Sequence, residues 1–210
     1  MSFKRISLAF LVALMAMVLV NTATATSVTM KYIGPYQQHF YFSIDGSKTL
    51  TPLMCDSFDN QIHQGESWTA TASPLLAGIA NGMFGTAMTM DYKAAGLIYK
   101  SMLSGTLTTV QAQWAVWGLF STNAQNTYQF AYLGGAAIDA AYLTMAQSAP
   151  NSAYAGLILY TPLGGKPGLG PQEFIGYSPV PEPGSLTLLG TGLVGLAGAV
   201  RRKFAKAQVL

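Results

Sequence analysis

A chain of 210 residues suffices for one well-filled core, and at 50% hydrophobic with 9% charged residues it is unusually apolar for a soluble domain. The formal net charge of +3 belongs to the ends, at Lys4, Arg5, Arg201, Arg202, Lys203 and Lys206. Between residues 26 and 178, Lys31, Lys48, Lys93, Lys100 and Lys166 face Asp45, Asp56, Asp59, Glu66, Asp91, Asp139 and Glu173 with no arginine, so no basic patch exists to neutralise phosphates and nucleic acid is not expected as a partner.

At the N-terminus, Lys4 and Arg5 precede an apolar run from Ile6 to Val20, and Ala23-Thr24-Ala25 has the small-x-small pattern that signal peptidase cuts. Residues 1–25 are expected to be a signal peptide removed after Ala25; the run is shorter than the ~20 residues that an N-terminal anchor requires.

Strands are expected at residues 27–34, 38–44 and 49–55, with Asp45-Gly46 as a tight-turn signal, and a less regular fourth at 66–73. Cys55, the single cysteine, falls at the end of the third. A lone thiol in an exported chain has no internal disulfide partner, so it either lies buried as a small hydrophobe or does chemistry. His39, His63, Cys55 and Asp59 could form a nucleophile set for an exported Cys/His hydrolase, but their spacing selects no protease pattern. Asp56, Asp59 and Asn60 offer oxygen atoms but lack the glycine and distal glutamate of a calcium loop, and zinc lacks ligands; no cofactor or metal is expected.

A helical stretch follows over residues 91–105, with Tyr92, Ala95, Gly96, Tyr99 and Leu103 on one face. Thr108 or Thr109 can cap a second helix to Phe120, in which Val110, Trp114, Trp117 and Phe120 or Ser121 share a side. A third, over residues 136–147, is expected to pack through Ile138, Tyr142 and Met145. Residues 156–160 and 173–177 return to strand across a Gly/Pro turn containing GGKPGLG, which lacks the Lys-Ser/Thr ending of a phosphate loop. The expected exported domain, residues 26–178, is α+β, a β-sheet or sandwich with a helical insertion.

Residues 113–117, Gln-Trp-Ala-Val-Trp, resemble the QxA[I/V]W signature of surface domains that form an internal thioester between a cysteine near a strand end and a glutamine at the start of a later helix. Met54 and Asp56 flank the cysteine, where that family usually has an aromatic residue before it and an apolar one after. Ala112 stands where threonine usually precedes the glutamine. The resemblance implies a covalent adhesin in which the Cys55 sulfur attacks the Gln113 carboxamide and ammonia leaves. Trp68, Trp114 and Trp117 would shield the product until a surface nucleophile arrives.

The chain ends with Val180-Pro181-Glu182-Pro183-Gly184, about seventeen uncharged residues over 184–200 and then Arg201-Arg202-Lys203. The glycine-rich stretch is expected to be a transmembrane helix, with the basic stub (201–210) held in the cytoplasm as a stop-transfer signal. Residues 179–210 resemble the PEP-CTERM sorting signal of Gram-negative bacteria, also labelled an ice-binding protein C-terminal domain. That resemblance implies recognition by an exosortase, cleavage near the Pro-Glu-Pro, transient inner-membrane anchoring and delivery to the cell envelope or surface. It also implies an extracellular-matrix setting, associated with biofilm or exopolysaccharide. The reading is a non-enzymatic structural or adhesive protein.

Overall fold

The computed structural model describes residues 25–36 and 39–178. The expected signal peptide, sorting motif, transmembrane helix and basic stub fall outside them, Ala25 excepted. Among the described residues no helix is long and apolar enough to cross a membrane.

Six strands run β1 (Thr26–Tyr36), β2 (His39–Ile44), β3 (Thr51–Cys55), β4 (Ser67–Pro74), β5 (Leu157–Pro162) and β6 (Phe174–Tyr177). All pairings are antiparallel, in the closed order β1-β2-β3-β6-β5-β4, so the fold is α+β but the expected sheet or sandwich is a barrel. Closure depends on β1. Its eleven residues are long enough to pair with both β2 and β4, and a register shift between Tyr32 and Gly34 (φ 137°) bends it between those partners.

Strand alternation sorts the side chains. Met30, Tyr32, Phe42, Leu53, Cys55, Ala70, Tyr160 and Phe174 form the barrel interior. On the reverse face of β3, β5 and β6, Met54, Leu157, Leu159 and Ile175 pack under the helices. Strands covered on both faces read as unbroken apolar runs, as in Leu53-Met54-Cys55 and Leu157-Ile158-Leu159-Tyr160. In β1, Ser27, Thr29 and Lys31 alternate outward to solvent.

The helices fill the connection between β4 and β5: α1 (Leu75–Gly78), α2 (Thr89–Leu103), α3 (Thr109–Phe120), α4 (Thr122–Gln125), α5 (Tyr128–Tyr132) and α6 (Gly135–Ser148). The α2 stripe ends on buried Met102, leaving Leu103 46% exposed; in α6 Ala146 is buried and Met145 is 51% exposed. A closing stripe drifts by one residue because 3.6 does not divide the spacing evenly. Helix α3 turns its small residues inward, Ala112, Ala115, Val116 and Gly118, and keeps Trp114 and Trp117 half-buried at the margin.

Gly118 marks the closest approach of these helices. A Cβ there would lie 2.1 Å from Phe130 Cε2 and 2.7 Å from Asp139 Oδ2. Gly118→Ala is therefore expected to destabilise the domain by about 1–3 kcal/mol, as overpacked cores do. A thermal melt checks this, at roughly 2–4 °C per kcal/mol for a domain of this size; an unchanged midpoint would mean that Phe130 moves aside freely.

Candidate functional site

Cys55 ends β3 and is fully buried. In an antiparallel sheet alternate residues direct their peptide groups to opposite neighbours. Asp56 N–H donates to the Glu173 carbonyl at 3.3 Å, toward β6, so Cys55 directs its own groups toward β2. Pairing of β2 with β3, however, stops at Phe40 and Leu53. The Gln113 side chain fills that gap. Cys55 N–H donates to Gln113 Oε1 at 3.2 Å, and Gln113 Nε2 donates to the Cys55 carbonyl at 2.6 Å. A residue 58 positions away in sequence thus lays a carboxamide along the strand edge like one more peptide unit.

The start of α3 holds Gln113 in register. Thr108 is the N-cap: its hydroxyl accepts from Gln111 N–H at 3.3 Å, while Gln111 Oε1 accepts from Thr108 N–H at 3.2 Å. Gln113 itself is 6% exposed, so its carboxamide and the neighbouring thiol share a dry site.

Burial pushes the Cys55 thiol up to about 12; the Trp117 indole and Ser57 act in the opposite sense. Ser57 Oγ lies 3.9 Å from the sulfur. The Trp117 N–H lies near enough to favour a sulfur anion, yet it forms no hydrogen bond of ordinary geometry. Trp117 packs edge-on against Phe58 (5.2 Å between centroids) and Trp114 (5.0 Å). Trp68 packs within the barrel on the same cluster as Cys55, stacked on Phe174 (6.3 Å), the strand partner of Cys55, and edge-on to Phe42 (5.7 Å). The thiol thus has Trp117 beside it, with Trp114 and Phe58 packed on that indole, and Trp68 on the barrel side across Phe174. Phe58 carried no motif in the sequence; only its position three residues after Cys55 pointed to it.

The other candidate ligands and nucleophiles are put to different uses. Asp59 accepts from Ser121 Oγ and Asn123 Nδ2, each at 2.7 Å, tying the turn after β3 to the end of α3. Asn60, 2% exposed, donates to the carbonyls of Lys166 (2.9 Å) and Gly170 (3.0 Å) and accepts from Gly168 N–H (2.8 Å), so it is the plug on which the GGKPGLG turn is wound. His63 is exposed, its backbone N–H bonded to Glu66 Oε2. Among the described residues no cluster of three His, Cys, Asp or Glu could hold a metal ion.

A feature that the sequence reading missed lies next to Cys55. Asp56 and Glu173 are both fully buried on the helix-facing side of the barrel. Glu173 accepts from Tyr92 Oη (2.5 Å), Thr161 Oγ1 (2.5 Å) and Met83 N–H (2.9 Å). Neither Asp56 oxygen has a hydrogen bond of ordinary geometry, though the carboxyl lies beside that of Glu173. Burial, and then the Glu173 charge, hold Asp56 well above the usual carboxylate range; burial also raises Glu173, against the pull of its donors. Asp56 is thus the member of the pair that keeps a proton.

Beyond the described residues, 179–203 match the family model for the PEP-CTERM protein-sorting motif. The chain carries a PEP-CTERM sorting signal. The motif marks an exported chain addressed to exosortase for delivery to the cell envelope or surface. No curated protein and no solved structure matches the chain.

Proposed function

We propose that the exported core is a non-enzymatic, covalent attachment module of the cell surface or extracellular matrix, charged by an internal thioester between Cys55 and Gln113. The observation that supports this is the buried contact in which the Gln113 carboxamide bonds both peptide groups of Cys55. In the charging step the sulfur bonds to Gln113 Cδ, the C–N bond breaks, and the thiol proton leaves with the amide nitrogen as ammonia. The acyl group is then protected by Trp117, Trp114 and Phe58 until a nucleophile takes it and returns the proton to sulfur. A PEP-CTERM address fits this role, since it delivers the module to a surface where polysaccharide, such as that of a biofilm, is within reach.

The alternative for the same contact is a strand-edge plug with an inert thiol. Intact-mass measurement on the exported protein separates the two. The thioester form is lighter by one ammonia, resists thiol reagents after gentle unfolding and gains one methylamine on treatment, whereas Gln113→Ala has its full mass and a reactive Cys55. A full-mass wild type with a freely alkylated Cys55 would leave only the plug.

A further inference from the structure

The Cys55 sulfur is fully buried, where an anion is costly. Thioester chemistry nevertheless loads it with negative charge twice: when it attacks Gln113 Cδ, and when a nucleophile displaces it. Three donors converge on the sulfur. Ser57, two residues along the chain, presents both its backbone N–H and its hydroxyl, and the buried Trp117 indole N–H, which has no other partner, faces the same atom. We propose that Ser57 is a catalytic residue of the thioester, its hydroxyl holding the charge on the Cys55 sulfur in both directions of the reaction; the inference rests on the thioester reading above.

The hydroxyl is buried and held in place. Ser57 is 1% exposed, and its Oγ accepts from Glu173 N–H at 2.8 Å. Its carbonyl accepts from Asn60 N–H at 3.2 Å and from Gln172 Nε2 at 3.4 Å, while Asp56 N–H donates to the Glu173 carbonyl at 3.3 Å. The residues leading into β6 therefore fix the oxygen from behind. With one lone pair committed to Glu173 N–H, Oγ keeps one proton and one lone pair. Among the described residues the only other hydrogen-bond neighbour of that hydroxyl is the sulfur, 3.9 Å away. Of the three donors, the hydroxyl alone suits both states of the sulfur: it accepts from the thiol S–H and, after a rotation about Cβ–Oγ, donates to the thiolate. The two N–H groups serve only the anion.

In charging, the thiol proton passes to the Gln113 amide nitrogen, the sulfur bonds to Cδ, the C–N bond breaks and ammonia leaves. In discharge by an amine, the amine nitrogen bonds to Cδ, the C–S bond breaks with its electron pair on sulfur, and the proton shed by the amine returns to that sulfur. Ser57 turns its O–H to the sulfur while that pair is unshared and accepts from S–H once the proton is back. Over the cycle it neither gains nor loses a proton, so its contribution is electrostatic, as in an oxyanion hole built for sulfur.

The test follows methylamine opening of the exported protein by intact mass, with Raman spectra of the opened forms. Ser57→Ala removes the hydroxyl without trimming the aromatic cover. Its closed form is expected to open about tenfold more slowly than the wild type, the worth of one hydrogen bond to a charged group. Ser57→Thr, which keeps the hydroxyl, is expected to open at close to the wild-type rate. A purely structural role has the opposite sign, because loosened packing admits the amine faster. The chain has a single cysteine, so its S–H stretch is unambiguous. In the opened wild type that band is expected at lower frequency than in opened Ser57→Ala, where S–H has lost its acceptor. Unchanged or faster opening of Ser57→Ala, or an S–H band that does not move, overturns the assignment. Should Ser57→Ala keep its full mass, closure regained in Ser57→Thr supports the role, and a Ser57→Thr protein equally unable to close overturns it. A full-mass wild type overturns the thioester reading and this role with it, whereas a closed wild type with a fast-opening Ser57→Ala overturns this role alone.

Discussion

Methylamine opening of the proposed Cys55–Gln113 thioester is expected to lower the melting temperature of the exported protein by roughly 8–16 °C. A covalent link between residues 58 apart restricts the unfolded chain as a disulfide would, and a loop of that length corresponds to about 4 kcal/mol in the chain-entropy account. A domain of this size shifts by about 2–4 °C per kcal/mol. Gln113→Ala is expected to melt lower still. It loses the link and also leaves the Cys55 N–H and carbonyl, both inside a dry site, without partners, at about 1–3 kcal/mol for each buried group left unsatisfied. Scanning calorimetry on species first identified by mass decides the matter: closed and opened forms that melt together would show that no link constrains the chain, whatever the distance between the two residues.

Sequence pattern located the six strands and the three long helices because each carries its own period, but it could not close the barrel. Closure depends on β1 pairing with both β2 and β4 and on β3 pairing with β6, and no local window of sequence holds those registers. The Cys55–Gln113 contact was legible through the resemblance of residues 113–117 to the thioester-domain signature; a lone thiol and a helix-start glutamine are each ordinary without it. The shield was only partly legible. Trp68 and Trp117 pack on the cluster that holds Cys55, and Trp114 on Trp117, whereas Phe58, which no motif marked, meets the two tryptophans of α3 through a turn whose path depends on Asp59 and Asn60. The acidic pair was hidden for a different reason. A carboxylate in a sequence reads as surface because burial is costly, and only the fold reveals that Tyr92, Thr161 and Met83 N–H have assembled around Glu173.

That acidic pair sets the second large effect: the wild-type protein is expected to lose stability as pH rises, and Asp56→Asn is expected to abolish most of the loss above about pH 7, below which buried Asp139 also contributes. Unfolded, both carboxyls titrate near the ordinary value of about 4. In the folded chain burial raises both, and Asp56 is raised further by the charge of Glu173. A group whose folded pKa lies above its unfolded one contributes stability that is complete below the unfolded value and is lost as pH climbs through the folded one. Across that window each such group subtracts about 1.4 kcal/mol per pH unit. Asparagine keeps the size of Asp56 and removes both the proton and the like charge beside Glu173, while the donors from Tyr92, Thr161 and Met83 N–H keep their acceptor. Glu173→Ala should behave in the opposite way, stranding three donors and costing several kcal/mol at every pH. Melting curves from about pH 5 to about pH 9 provide the check. The wild-type midpoint should fall through this range, whereas the Asp56→Asn midpoint should fall only to about pH 7, where the Asp139 carboxyl, pushed up to about 7 by burial, finishes titrating, and stay nearly level above it, leaving the variant the more stable protein at the alkaline end. A wild type that is flat or gains stability toward alkaline pH, or a variant that keeps the wild-type slope, would show that Asp56 is already ionised in the fold and that its charge is met by a partner other than Glu173.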